Sequence, residues 1–128
     1  MKKRAIVLGS FVVLTGAAGT ALAGDSSLDE VVVRDNYASG TVAGARLSSD
    51  DRQEIYCYTQ AGQDYVRGMC WARDKNGAYR ACFAANDEQL ETMRSIGPAS
   101  RISFWQADDL YYCDLIAVTS GSRFLLVD

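Results

Sequence analysis

The chain contains no histidine. That absence removes the usual general base, the usual partner of a serine or cysteine nucleophile, and the commonest metal ligand. Close cysteine pairs are missing as well. Neighbouring cysteines are separated by 12, 11 and 30 residues, whereas structural zinc sites and dithiol redox centres use C-x-x-C spacing. Neither Gly40-x-x-x-Gly44 nor any other glycine cluster matches a phosphate-binding loop. Proline occurs once, at Pro98, and lysine only at positions 2, 3 and 75. Without a run of bases to displace counterions from phosphates, the composition points away from nucleic acid.

What is present begins with a targeting pattern. Lys2, Lys3 and Arg4 precede an apolar stretch from Ala5 to Ala18, and Ala21-Leu22-Ala23 supplies a small-x-small motif. Residues 1–23 therefore read as a signal peptide cleaved before Gly24. The apolar run is shorter than the ~20 residues of a spanning helix, so no membrane association is expected after cleavage. Three of the thirteen basic residues and none of the sixteen acids lie in that segment, so the remainder carries a net −6. An acidic balance of this kind suits solubility and a basic partner alike.

All four cysteines, Cys57, Cys70, Cys82 and Cys113, follow the leader. An even number in a small exported chain reads as two disulfides, and the expected destination is the periplasm or the medium.

Residues 24–44 read as a poorly ordered leader. Val31-Val32-Val33 is short and flanked by charge, and Gly40 to Ala45 would form at most a short strand or turn. Residues 45–128 read as a single disulfide-stapled α+β domain. Strands are predicted over 54–60, 65–73, 78–84, 100–106, 110–119 and 124–127, from their β-branched and aromatic content and the turns between them. The order is β-β-β-α-β-β-β: an antiparallel sheet of five to six strands with one short covering helix.

The turn Asp74-Lys75-Asn76-Gly77 fits a type I turn followed by a left-handed glycine bulge, as well as a two-residue Asn-Gly turn. The bulged form pairs Asp74 with Ala78 and sets Cys70 opposite Cys82. That register favours a Cys70–Cys82 bridge, leaving Cys57–Cys113 by elimination, although four cysteines allow three connectivities. The same register puts Met69 and Trp71 on one face with Ala81 and Phe83. That set reads as a core stripe, and the competing reading is an exposed aromatic platform.

The helix signal is compact. Asn86 is a good N-cap, Asp87 and Glu88 place negative charge in the first turn, and Gln89 completes a capping-box pattern. Leu90, Met93 and Ile96 recur at helical spacing, with Gly97 as a left-handed stop before Pro98. In the strand that follows, Ile102 and Phe104 share one face and Arg101, Ser103 and Trp105 the other.

Carboxylates are the remaining catalytic candidates: Asp50-Asp51, Asp108-Asp109 and Asp114. Adjacent strand residues point to opposite faces, and aspartates in turns usually bind backbone amides, so no catalytic residue, metal site or cofactor is assigned. Tyr56, Tyr58, Trp105, Tyr111 and Tyr112 are the candidate binding surface for a protein or polysaccharide, since exposed Tyr and Trp combine contact area with hydrogen bonding. The alternative is that these rings complete a thin core or cover sheet edges. The leading functional expectation is a non-enzymatic exported binding domain. An inhibitor of a secreted hydrolase comes second, and a carboxylate-dependent enzyme using Asp108 and Asp109 third. The sequence names no oligomeric state.

Ala45-Arg46-Leu47-Ser48-Ser49-Asp50, Ile55-Tyr56-Cys57, Cys70-x-Ala72-x-Asp74, the short helix, Ile102-Ser103-Phe104 and Cys113 together resemble a group of small exported bacterial proteins of unknown function. Tyr56 departs from that pattern, which has a small residue before the first cysteine. The resemblance implies export and a four-cysteine layout, and it implies no activity.

Overall fold

The computed structural model describes residues 27–125, so the signal segment 1–23 and the residues just after it lie outside the described residues. Among the described residues seven strands form two antiparallel sheets. One sheet holds β1 (Val32–Arg34), β2 (Tyr37–Thr41), β6 (Ser100–Gln106) and β7 (Cys113–Ser120), in the order β1-β2-β6-β7. The other holds β3 (Glu54–Ala61), β4 (Val66–Arg73) and β5 (Tyr79–Phe83), in the order β3-β4-β5. Helix α1 (Val42–Arg46) follows β2, α2 (Asp87–Arg94) lies between β5 and β6, and Ser122–Phe124 forms a 3-10 turn. The α+β class with antiparallel pairing is as expected, but the strands number seven and split into two sheets.

The largest correction falls on residues 24–44, expected as a poorly ordered leader. Within that span β1 and β2 are regular strands, and β2 pairs with both β1 and β6. The segment Tyr37-Ala38-Ser39-Gly40-Thr41 has few strand-forming side chains, so its conformation comes from packing rather than propensity. Ala38 and Gly40 pair with Phe104 and Ile102 on β6. Thr41 then caps α1, accepting from the Gly44 N–H at 3.0 Å, and also accepts from the Asp29 N–H at 3.0 Å. A side chain at Gly44 would overlap the Asp29 carbonyl. Buried Gln53 accepts from the Val31 N–H at 2.8 Å, tying this segment to the start of β3.

The bulged hairpin forms as expected. The Asp74 N–H donates to the Ala78 carbonyl at 2.9 Å, Gly77 has φ 86°, and Cys70 lies opposite Cys82. The disulfides nevertheless differ from the expected pairing: they are Cys57–Cys70 and Cys82–Cys113. In an antiparallel sheet each residue directs both backbone groups to one neighbouring strand. Its pair on that side is hydrogen-bonded, and its pair on the other side is not and brings the side chains closer. The bonds Asp74–Ala78 and Ala84–Gly68 make Cys70–Cys82 a hydrogen-bonded pair. Cys57–Cys70 is therefore the non-hydrogen-bonded pair, with Cα atoms 4.0 Å apart. Cys82 reaches instead to Cys113 at the start of β7 and joins the two sheets.

Between the sheets lie fully buried Ile102 and Phe104, with Ile55, Ala72, Leu90 and Met93. Asn86 caps α2 by accepting from the Gln89 N–H at 2.9 Å, while Gln89 accepts from the Ala85 N–H and donates to the Cys113 carbonyl. The helix stops at Arg94, short of Gly97, which does not adopt the left-handed conformation expected of it. The hydroxyls of Thr92 and Ser95 bind carbonyls one turn back at this end. Of the strand expected over 124–127, Phe124 is instead buried in the 3-10 turn, and 126–128 lie outside the described residues.

Candidate functional site: an uncovered aromatic sheet face

Side chains alternate across a strand, so directly paired residues share a face. On the three-stranded sheet one face carries buried Ile55 together with Cys57, Gly68, Cys70, Ala72 and Cys82, small residues that let α2 approach closely. A side chain at Gly68 would overlap Met93 and lie 2.9 Å from Leu90 Cδ2. The opposite face carries Tyr56, Trp71 and Ala81 in one row and Tyr58, Met69 and Phe83 in the next, with Tyr79 beyond. Met69, Trp71, Ala81 and Phe83 thus share a face as expected, but it is the outer face and not the core stripe. The core is reserved for the small residues because a helix and a cystine must fit against them.

The outer face is open. Tyr56 is 41% exposed, Tyr58 37%, Tyr79 56% and Tyr111 53%. Trp71 stacks on Tyr79 with ring centroids 4.8 Å apart and planes at 16°. Phe83 stacks on Tyr111 at 4.8 Å and 24°, and Tyr112 meets Tyr111 edge-on. Each stacked ring has one face covered by its neighbour, an arrangement that adds about 0.5–1.5 kcal/mol per pair beyond area burial. Polar groups flank the patch. Arg73 pairs with Glu54 at 2.6 Å, and Arg67 donates to Gln60 at 3.0 Å with its guanidinium 5.8 Å from the Tyr65 ring centre.

Tyr111 and Tyr112 reach this face from the loop joining β6 to β7. The Phe83 N–H donates to the Tyr111 carbonyl at 2.8 Å, which connects the edge of one sheet to the other. Asp109 accepts from the N–H groups of Tyr111 and Tyr112 at 2.9 and 3.1 Å. The Gln106 amide donates to the carbonyls of Ala81 and Leu110 at 3.1 and 2.8 Å. Leu110 has φ 60° and is 71% exposed. A bulky residue in that region costs about 1–3 kcal/mol, so the surrounding bonds hold it there. A groove of about 270 Å³ opens between Tyr111, Tyr112, Phe83, Arg67 and Asn86 at the start of α2.

Of the five aromatic residues singled out from the sequence, Tyr56, Tyr58, Tyr111 and Tyr112 are exposed in this region. Trp105 stands on the other sheet, its ring 4.7 Å from Tyr37. The residues missed were Trp71, Tyr79 and Phe83. Their signal was the regular alternation of large and small side chains on both arms of the 74–77 hairpin, read with the wrong side inward.

The carboxylates build turns. Asp50 accepts from the N–H groups of Arg52 and Gln53 and from the Gln53 amide, and Asp74 accepts from Asn76 and Ala78. The Gln53 side-chain bond, followed by the Arg52 backbone bond, holds the Asp50 carboxyl below the usual aspartate range. Among the described residues no three His, Cys, Asp or Glu side chains converge as a metal site. All four cysteines are bridged, which suits an oxidising, extracytoplasmic compartment. Among the described residues no helix is long and apolar enough to cross a membrane. The chain matches no protein-family model, no curated protein and no solved structure.

Proposed function

We propose that this chain is an exported, non-enzymatic binding domain of the periplasm or medium that takes a protein partner on the outer face of β3, β4 and β5. The observation that carries the reading is an aromatic face on a sheet whose other side is core, with Tyr56, Tyr58, Tyr79 and Tyr111 exposed and Trp71 and Phe83 half-buried among them. Contiguous exposed apolar patches on small proteins mark interaction sites. Tyr and Trp are the residues enriched at such contacts. A protein partner is favoured over a polysaccharide because Trp71, Tyr79, Phe83 and Tyr111 are stacked on one another and not laid out as free platforms for sugar rings.

The test uses the purified chain, immobilised, against two separate fractions of the source cell: envelope and medium proteins, and envelope polysaccharide. Retention of a protein by the parent, lost in a Tyr56→Ser, Tyr58→Ser, Tyr111→Ser variant with an unchanged unfolding midpoint, is the expected result. Equal retention by parent and variant would sink the aromatic face as the contact. Retention from the polysaccharide fraction alone would move the partner to a polymer.

A further inference from the structure

Strand β5 ends the three-stranded sheet, and its outer edge is only partly used. Residues 80, 82 and 84 direct their backbone groups to β4, so Tyr79, Ala81 and Phe83 direct theirs away from it. Phe83 uses its N–H on Tyr111. The carbonyl of Ala81 accepts the Gln106 amide, and the carbonyl of Tyr79 accepts from the Arg80 guanidinium. Among the described residues nothing accepts from the N–H groups of Tyr79 and Ala81. The chain that begins to pair with Phe83 as a parallel neighbour departs at Leu110, whose left-handed backbone turns it aside.

An open groove of about 620 Å³ adjoins this edge. Tyr79, Arg80, Ala81, Asp35, Gln106 and Leu110 line it. Gln106 already spans the gap with its amide, one side chain doing what a backbone N–H would do. Arg80 donates to the carbonyls of Asp35 and Tyr79, and no carboxylate among the described residues pairs with it. Its guanidinium forms no ion pair with them, and Asp35 is the one acidic residue among those lining the groove.

We infer that this groove receives an extended acidic peptide segment by strand addition to β5, its backbone pairing with Tyr79 and Ala81 and a carboxylate meeting Arg80. Main-chain bonds to a free edge supply affinity in this mode, and side chains of the added strand supply selectivity. Charge-assisted bonds from arginine to carboxylate are stronger than neutral ones, which selects an acidic segment. The inference rests on the proposed binding role and names the partner's chemistry.

The probe is an acetylated, amidated six-residue peptide alternating valine and glutamate, titrated into the isotope-labelled chain. The amide signals of Tyr79 and Ala81 should shift and gain protection from hydrogen exchange. Replacing glutamate by lysine in the peptide, or Arg80→Gln in the protein, should weaken binding about tenfold. Replacing one alternate set of the peptide's carbonyls by thiocarbonyls, weaker acceptors for the Tyr79 and Ala81 N–H groups, should weaken binding while replacing the other set leaves it intact, a ligand-side change that cannot disturb the protein's fold. Unmoved Tyr79 and Ala81 amides, or equal binding by both substituted peptides, would overturn the inference. A response confined to the Trp71 indole would overturn it while leaving the aromatic-face reading in place.

Discussion

The two sheets solve the same packing problem in opposite ways. In the four-stranded sheet the large side chains, Ile102 and Phe104, point inward and are fully buried. Its opposite face carries Ser39 and Thr41, both buried, then Arg101, Ser103, Ala117 and Thr119, with Tyr37, Trp105 and Leu115 at one end. In the three-stranded sheet the inward residues are mainly small, Ile55 excepted, and the rings stand outside. A sheet that buries Gly68, Cys70 and Ala72 gains little from apolar area alone, and both cystines are anchored in it. Covalent links thus take the place of bulk inside, and the aromatic residues are released for the surface.

The sharpest way to break this contrast is to empty the first sheet. Phe104→Ala should cost about 3–5 kcal/mol, read by urea unfolding, because a fully buried ring leaves a cavity. Next comes the covalent support of the second sheet. Replacing Cys82 and Cys113 by serine should cost about 2–4 kcal/mol, and replacing Cys57 and Cys70 about 0.8 kcal/mol less, since the loops they close span 31 and 13 residues. With both bridges reduced, amides of β3, β4 and β5 should lose hydrogen-exchange protection before those of β2 and β6. Gly68→Ala, which crowds Met93 and Leu90, should cost about 1–3 kcal/mol. Tyr56→Ser with Tyr58→Ser should shift stability by no more than about 0.5 kcal/mol, since these rings are exposed. A large loss there would return them to the core.

The smallest effect concerns Asp50, which lies in neither sheet. Its folded pKa is depressed, so its contribution is present above the ordinary aspartate value and is lost as pH falls through the folded value. Acidification from about pH 5 to about pH 3 should lower the unfolding midpoint slightly more in the parent than in Asp50→Ala.

Features decided by neighbours in sequence were legible. Asp74 and Gly77 announced the bulged turn, Asn86 the helix start, and the alternation of Ile102 and Phe104 the buried face of β6. Features decided by distant packing were not. Nothing local in Tyr37–Thr41 marks a strand, because β1 and β6 on either side hold it extended. The cystine pairing also escaped, for a geometric reason. Cys70 faces a cysteine on both neighbouring strands, and only the hydrogen-bond parity of each pair decides which sulfur it meets. The candidate face was half visible: its tyrosines were found on β3 and in the 107–112 loop, while Trp71 and Phe83 were assigned to the interior because large apolar residues usually go there.

The order of the bridges along the chain has a topological outcome. Cys57–Cys70 and Cys82–Cys113 close two loops in series, not one inside the other, so residues 71–81 are the sole covalent route between the halves. A protease cut at the exposed Lys75–Asn76 turn would free two separately looped fragments with every sulfur still bonded. A cut in the 61–64 turn or the 107–112 loop would leave one piece. The hairpin that organises the second sheet is therefore also its fuse.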